Sequence, residues 1–411
     1  MNFYGAAMLG LVLLISNCKS FAGPLILLDQ TNLNQVKTAL QQNKASIDTQ
    51  KAYAQLIKQA DTALSLDGFS VIDKTILAPS KDAHDYLSLS RYWWPDPSKP
   101  NGIPWVRRDG VTNPDTQTDS VDRKRLGAMT KYVHILALAY FFSGEHKYAQ
   151  KGTDFIKRWF LDRDTKMNPH LEFAQSVPGI DIRRRSGILD GRLIPEKVLD
   201  AVTLFSTSSW WSKQDNAEMN QWLDTYLKWL TTSELGLQGA KQTNNHGSWY
   251  YFQVAALSWY LGYEAELYKA VQNTKRHMLQ QFDEKGAQHH ELARSRPYFY
   301  SCFNLEALTS IAVIANKINI KLWQYQPADS RLLTAAVKYL IPAAKGDTWQ
   351  HGSNEIKPTD LIKVLDKYNE YSGEPLQRDL LMHLLQRSKL EDTNKTMYYH
   401  FSLLNPEVLT E

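Results

Sequence analysis

Between residues 30 and 410 the apolar side chains recur at intervals of three and four, and no convincing block of strict apolar–polar alternation interrupts them. That period belongs to helices burying one stripe each. The clearest runs from Asp122 to Ser143, where Leu126, Met129, Val133, Leu136, Ala137 and Tyr140 share a face and Gly144 supplies the stop. From Ala217 to Leu230, Met219, Trp222, Leu223, Tyr226, Leu227, Trp229 and Leu230 give a second. The spacing predicts further helices over 31–44, 47–64, 146–160, 193–206, 248–262, 264–281, 302–316, 329–341, 358–366 and 375–388. Their lengths and short connections imply antiparallel hairpins packed in series. A dozen such helices predicts an all-α fold, an (α/α) toroid built as an incomplete barrel of six to seven helical hairpins. No repeat of fixed period is visible, which argues against a regular solenoid.

Two stretches break the pattern. Residues 85–120 are rich in Pro, Gly, Asp, Asn and aromatics around Trp93-Trp94-Pro95-Asp96-Pro97, and residues 163–192 run from Met167-Asn168-Pro169-His170 through Arg183-Arg184-Arg185 to Gly191. Long irregular segments in a packed domain are disproportionately functional. Both are expected to overhang a groove.

The chain has 411 residues, 43% hydrophobic and 22% charged, enough to bury a large core. Its net charge of +4 suits an acidic ligand but lacks the concentrated Lys/Arg clusters of a nucleic-acid binder. Residues 5–17 form an apolar run too short to span a bilayer, and Ser20-Phe21-Ala22 offers the small residues of a cleavage site. Residues 1–22 therefore read as a signal peptide cut before Gly23, although its start carries no Lys or Arg. The remainder, 23–411, is expected to be one catalytic domain, secreted to the periplasm or medium. Cys18 is an alternative lipid-attachment site poorly served by Asn17 before it. Without it, Cys302 is a single thiol that cannot form an internal disulfide. No later apolar run approaches membrane-spanning length, so no membrane span is expected.

Two short segments concentrate chemistry: Asn244-Asn245-His246-Gly247-Ser248-Trp249, and Glu291-Leu292-Ala293-Arg294-Ser295-Arg296-Pro297-Tyr298-Phe299-Tyr300. Together they offer amides, an imidazole, a guanidinium and a phenol. A polymeric uronate carries a carboxylate on C5, and β-elimination removes the C5 proton while breaking the C4–O bond. The carbanion places charge beside an existing carboxylate, so that carboxylate must be neutralised while a base reaches C5 and an acid protonates the leaving oxygen. Asn245 supplies an amide donor, His246 a base or second donor, and Arg294 a cation that binds the carboxylate or favours a phenolate. Tyr300 supplies the phenol, its ionisation helped by Arg and His cations.

The sequence resembles the alginate lyase superfamily, represented by polysaccharide lyase families 5 and 38, over most of residues 23–411. The likeness rests on Arg91-Tyr92-Trp93-Trp94-Pro95-Asp96-Pro97, Val106-Arg107-Arg108-Asp109-Gly110, Asn113-Pro114, Met167-Asn168-Pro169, Asn244-Asn245-His246, and Glu291-Leu292-Ala293-Arg294 leading to Tyr300-Ser301-Cys302-Phe303-Asn304-Leu305. It implies an (α/α) toroid with Asn245, His246, Arg294 and Tyr300 as its catalytic residues. Family 5 members carry Asn-Asn-His-Ser-Tyr-Trp where this chain has Asn-Asn-His-Gly-Ser-Trp, and their Arg-to-Tyr interval is one residue longer. That shift leaves Tyr298 as a rival to Tyr300.

Asn244, Arg91, Trp93, Trp94, Trp105, Arg107, Arg108, Tyr298 and Arg296 are read as substrate-binding, the tryptophans stacking on sugars and the arginines, with Arg183 to Arg185, binding carboxylates. No metal or cofactor is expected, since adjacent histidines such as His289 and His290 point to opposite sides of most backbones and no third ligand is spaced to complete a site. The expected partner is an anionic polysaccharide, a mannuronate-rich alginate or glucuronan. Two alternatives use the same scaffold: a glycoside hydrolase drawing a carboxylate pair from Asp85, Asp96, Asp109 and Glu172, and a non-catalytic polyuronate-binding protein. Asn394-Lys395-Thr396 is a formal glycosylation sequon without expected consequence.

Overall fold

Three segments of this chain are apolar on every side, and a helix of that kind has to be surrounded by others. In a computed structural model, described over residues 22–180, 183–352, 356–390 and 403–404, they form the inner wall of a helical toroid. Most of the predicted leader, Cys18 and the sequon at Asn394 lie outside the described residues. In chain order the helices are α1 (Gln30–Gln41), α2 (Ile47–Leu64), α3 (Arg123–Ser143), α4 (His146–Ile156), α5 (Leu199–Phe205), α6 (Lys213–Thr232), α7 (Glu234–Ala240), α8 (Asn245–Leu261), α9 (Glu264–Gln281), α10 (His289–Leu292), α11 (Pro297–Lys317), α12 (Leu332–Ala344), α13 (Ile362–Tyr371) and α14 (Arg378–Leu390). The inner three are α3, α8 and α11. Amphipathic α2, α4, α6, α9 and α12 pack against them with polar faces outward. One hydrophobic cluster runs from Ile26 to Leu403 through these helices.

The predicted helices over 47–64 and 264–281 match α2 and α9 residue for residue. Others differ for local reasons. The helices predicted from 248 and 302 begin earlier, at Asn245 and Pro297: Asn244 caps the first, its Oδ1 accepting from His246 N at 3.0 Å, and Pro297 has the fixed φ that suits a first turn. Wider π-type turns replace regular helix at Lys157–Leu161 and Ile194–Val198, and α7 was not foreseen. One expectation needs correction: α11 is long and apolar enough, by length and composition, to cross a membrane. Its apolar window is 83% buried, because an inner toroid helix is covered on all sides.

The irregular stretches hold short strands. β1 (Leu87–Leu89) pairs in parallel with β4 (Phe173–Ser176), which joins the two long loops, while β2 (Trp93–Trp94) pairs antiparallel with β3 (Val106–Arg107). Behind β1, buried Asp190 accepts hydrogen bonds from Tyr86, Ser88 and Gln175. Asn113 Nδ2 donates to Trp93 O at 2.9 Å and its N–H to Arg91 O at 2.7 Å, which fixes the segment carrying Arg91 to Trp93.

Candidate active site

The first turns of α8 and α11, with the two loops, enclose a cavity of about 390 Å³. Asn244, Asn245, His246, Arg294 and Tyr300 all lie on its wall, as do Arg91, Trp93 and Arg107 from the first loop and Arg184 and Arg185 from the second. Seven arginines line it, and no Asp or Glu does among the described residues. Sequence reasoning missed Tyr92, Arg123, Gln175 and Arg192. Arg123 falls inside a helical pattern and Arg192 closes the second irregular stretch, and nothing in the spacing marks either as a cation that faces a cavity.

Helix α8 approaches His277 of α9 so closely that a Cβ on Gly247 would lie 2.6 Å from His277 Cε1 and would also collide with Gln242 O. A serine there, as in family 5, cannot fit this backbone. Next to it Ser248, His277 and Gln281 form a buried hydrogen-bonded group, and Asn304 of α11 joins Gln281 to Gln288. This network holds the segment leading to Glu291. Glu291, 1% exposed, accepts from Asn245 N at 2.7 Å and from Asn245 Nδ2 at 3.0 and 2.8 Å. Burial lifts its carboxyl from 4.5 to about 7, against the pull of Asn245 and Arg294. The amide hydrogens of Asn245, read as a substrate donor, are thus turned to Glu291. Asn244 Nδ2 makes no hydrogen bond among the described residues and is the freer amide on the wall.

Arg294 is anchored from outside. Its Nη2 and Nε donate to Asp109 at 2.8 and 3.2 Å, Ser295 Oγ adds 2.9 Å, and Arg107 Nη2 reaches the same carboxylate at 2.7 Å. Burial works the other way, yet hydrogen bonds from Arg294 and Ser295 hold the Asp109 carboxyl well below the usual carboxylate range. Gly110, at φ +77°, lets this loop meet Ser295; a Cβ there would sit 2.5 Å from Ser295 Oγ.

The guanidinium of Arg294 lies over the Tyr300 ring, 3.8 Å from its centroid. Burial, reinforced by the neighbouring Tyr92 phenol, raises the Tyr300 pKa, and Arg294 pulls it back. His246 corrects the sequence reading in one respect. Burial first, then Arg185, Arg294, Arg184 and Arg107, draw its pKa from 6.5 to about 4, so the ring is neutral at neutral pH and is not a cation favouring a phenolate. His246 Nδ1 and the Tyr300 hydroxyl are buried with no hydrogen-bond partner among the described residues.

Other predicted residues fall elsewhere. Tyr298 faces the opposite side of α11, edge-on to Trp349 at 5.4 Å, and Arg296 stacks on Phe299; both line a separate small cavity with Asp360. Trp94 packs under Arg108, 5.0 Å from ring to guanidinium, and donates to Val111 O. Neither they nor Trp105 reaches the cavity wall. Arg183 pairs with Glu172. The four carboxylates weighed for hydrolysis are occupied: Asp109 by Arg294, Glu172 by Arg183 and Trp229, Asp85 by Ser80, Asn168 and His170, and Asp96 by Ser98. None lies on the wall, so no flanking pair exists there.

The chain matches the alginate lyase family over residues 70–350. Among solved structures it is similar to an alginate lyase from Bacteroides ovatus, with 31% identity and a TM-score of 0.80 over 95% of this chain and 100% of that one. Alginate lyase A1-III complexed with tetrasaccharide is similar in fold. A Tyr→Phe variant gives 14% identity and a TM-score of 0.53 over 84% of this chain and 87% of that one. A His→Ala variant gives 14% and 0.52 over 85% and 88%. No curated protein sequence matches significantly. With a family match across most of its length and a relative of 31% identity spanning nearly all of it, this chain belongs to the alginate lyase family and is a polysaccharide lyase.

Proposed function

We propose that the chain cleaves a polyuronate, mannuronate-rich alginate or glucuronan, by β-elimination at the C4–O bond, leaving a 4,5-unsaturated uronate at the new non-reducing end. The observation that carries this reading is the wall itself: seven arginines, an imidazole, three amides and two phenols around one cavity, with no carboxylate among the described residues. Such a wall attracts a chain of carboxylates and offers no acid–nucleophile pair for hydrolysis.

In β-D-mannuronate and β-D-glucuronate the C5 hydrogen and O4 lie on the same side of the ring. Tyr300 takes the C5 proton and returns it to O4 as that bond breaks. Its raised pKa makes it a strong base once ionised, and Arg294 against the ring face favours ionisation. Neutral His246 serves as hydrogen-bond partner to the substrate, and Asn245, fixed by Glu291, orients it. Asn244 takes over the part of uncharged donor. The alginate for which the family is named and the tetrasaccharide bound to alginate lyase A1-III support an oligomeric uronate.

Ultraviolet absorbance of the conjugated alkene, followed while alginate, glucuronan and other polyuronates are digested, tests the reaction. A hydrolase produces new reducing ends without that absorbance, and that outcome overturns the reading. We also propose export, tested by N-terminal sequencing of the protein recovered outside the cytoplasm; a first residue other than Gly23 displaces the cleavage site.

A further inference from the structure

The arginines around the cavity differ in what holds them. Arg294 and Arg107 share Asp109, and Arg123 is bound to Asp190. Arg192 is held by aromatic faces. Its guanidinium carbon lies 5.5 Å from the Trp249 ring centroid and 5.4 Å from that of Phe303, and its Nη1 donates to Leu189 O at 2.8 Å. No Asp or Glu stands within ion-pair distance of it among the described residues. The three acids whose fields reach it are taken, Glu196 by Lys197 and Lys363, Asp190 by Arg123 and Glu306 by Lys363. A partly buried cation without a counter-charge is costly, and an anionic ligand would remove that cost.

Its depth is set by the helices. Trp249 follows His246 by three residues on α8, and Phe303 follows Tyr300 by three on α11. Arg192 touches both rings, so it lies about one helical turn, roughly 5 Å, beneath the imidazole and the phenol. It is on the cavity wall. Arg294, by contrast, presents its Nε and Nη2 edge to Asp109 and its face to Tyr300, which leaves little of it for a second carboxylate.

We propose that Arg192 is the cation that receives the C5 carboxylate of the uronate under attack, at the floor of the cleft beneath His246 and Tyr300. This rests on the lyase reading above and deepens it, because it assigns charge neutralisation of the reacting sugar to Arg192 and leaves Arg294 to govern the phenol. The two aromatic faces fix the plane of the guanidinium, so that its free edge meets a carboxylate in one orientation. As C5 loses its proton, charge grows on that carboxylate, and the bond to Arg192 strengthens in the transition state.

The test compares polymannuronate with the same polymer carrying methyl-esterified carboxyls, which need no cation to acidify C5. For Arg192→Ala, kcat/KM on the acid polymer should fall at least about a hundredfold, while on the ester it stays within about fivefold of wild type. Arg192→Lys, which keeps the charge and serves if the alanine variant is unstable, should lose about tenfold on the acid polymer only. Equal losses on both polymers would make Arg192 a packing residue and overturn the proposal, as would no loss on either. If wild type yields no unsaturated product from any polyuronate, the lyase reading fails first; if wild type is active and the variants show no selectivity, only the assignment of Arg192 fails.

Discussion

Two cavities in this molecule are crowded with ionisable side chains, and they are built on opposite principles. The cleft at the start of α8 and α11 is lined by seven arginines and, among the described residues, no acid. A cavity of about 180 Å³ among the inner helices, with Trp249 on its wall, mixes six acids, Asp29, Glu196, Asp200, Glu306, Asp366 and Glu370, with Lys197, Lys363 and Lys367. There Lys363 bridges Glu196 and Glu306, and Lys197 lies 3.8 Å from Glu196. Each of its lysines has an acid beside it, so its cations are answered within the fold. A high density of charged groups therefore does not mark a site; charge left for a ligand to answer does.

The strongest way to break this contrast is at Tyr300. Tyr300→Phe should lower kcat about a thousandfold, the scale of a lost general acid–base group, with polymer binding nearly unchanged. Tyr298→Phe should stay within about twofold, because that phenol lies on the far side of α11 against Trp349. Kinetics on the two variants decide it, and an inactive Tyr298→Phe with an active Tyr300→Phe would move the chemistry to the wrong cavity.

Next in size is Asp109→Asn. It releases Arg294 and Arg107 from their shared carboxylate and adds uncompensated charge to the cleft. We expect kcat to fall about ten- to a hundredfold as Arg294 loses its register over Tyr300, while polymer binds more tightly at low ionic strength. Unchanged kcat would show that the anchor is dispensable.

The pH response sharpens the same picture. His246 is neutral until about pH 4, so the acid limb of kcat/KM should lie well below the ordinary histidine value of 6.5. Its folded-state pKa is depressed, so the unfolded chain binds that proton first and stability falls as pH drops from 6.5 toward 4. Glu291 works in the opposite sense. Its pKa is raised from 4.5 to about 7, so the folded chain binds the proton first, and its contribution is fully present below 4.5 and lost as pH rises toward 7. Replacing it by Gln should flatten the melting temperature against pH between those values; an unaltered slope would show that Glu291 is ionised throughout.

How much of this was readable from the chain depends on what each residue does. Helical periodicity placed α2 and α9 to the residue, because a stripe facing a core leaves a period. It placed the starts of α8 and α11 three and five residues late, where the first turns carry Asn245 and Tyr300, because catalytic residues interrupt the apolar pattern. The motif residues split by role. Asn245, His246, Arg294 and Tyr300 reach the cleft, whereas Asn113, Asn168 and Asn304 support loops and the network behind it. The occupation of Asn245 by Glu291, the neutrality of His246 and the aromatic cradle of Arg192 depend on contacts across more than forty residues, and no local spacing encodes them.

The smallest expected effects test the contrast most directly, because they change one charge in each cavity. Lys363→Gln removes the cation between Glu196 and Glu306, and since that lysine is half-exposed the cost should be about 1 kcal/mol of stability. Its KM for polymer, and the salt dependence of that KM, should not move. Arg185 lines the cleft, exposed and without an ion-pair partner among the described residues. Arg185→Gln should leave the melting temperature unchanged but raise KM about threefold at low salt, an effect that shrinks above roughly 0.5 M salt, where exposed charges are screened. A lysine variant with altered KM, or an arginine variant altered only in stability, would mean that the two cavities are not divided between folding and binding, and that counting unanswered charge is the wrong guide to where this chain takes its substrate.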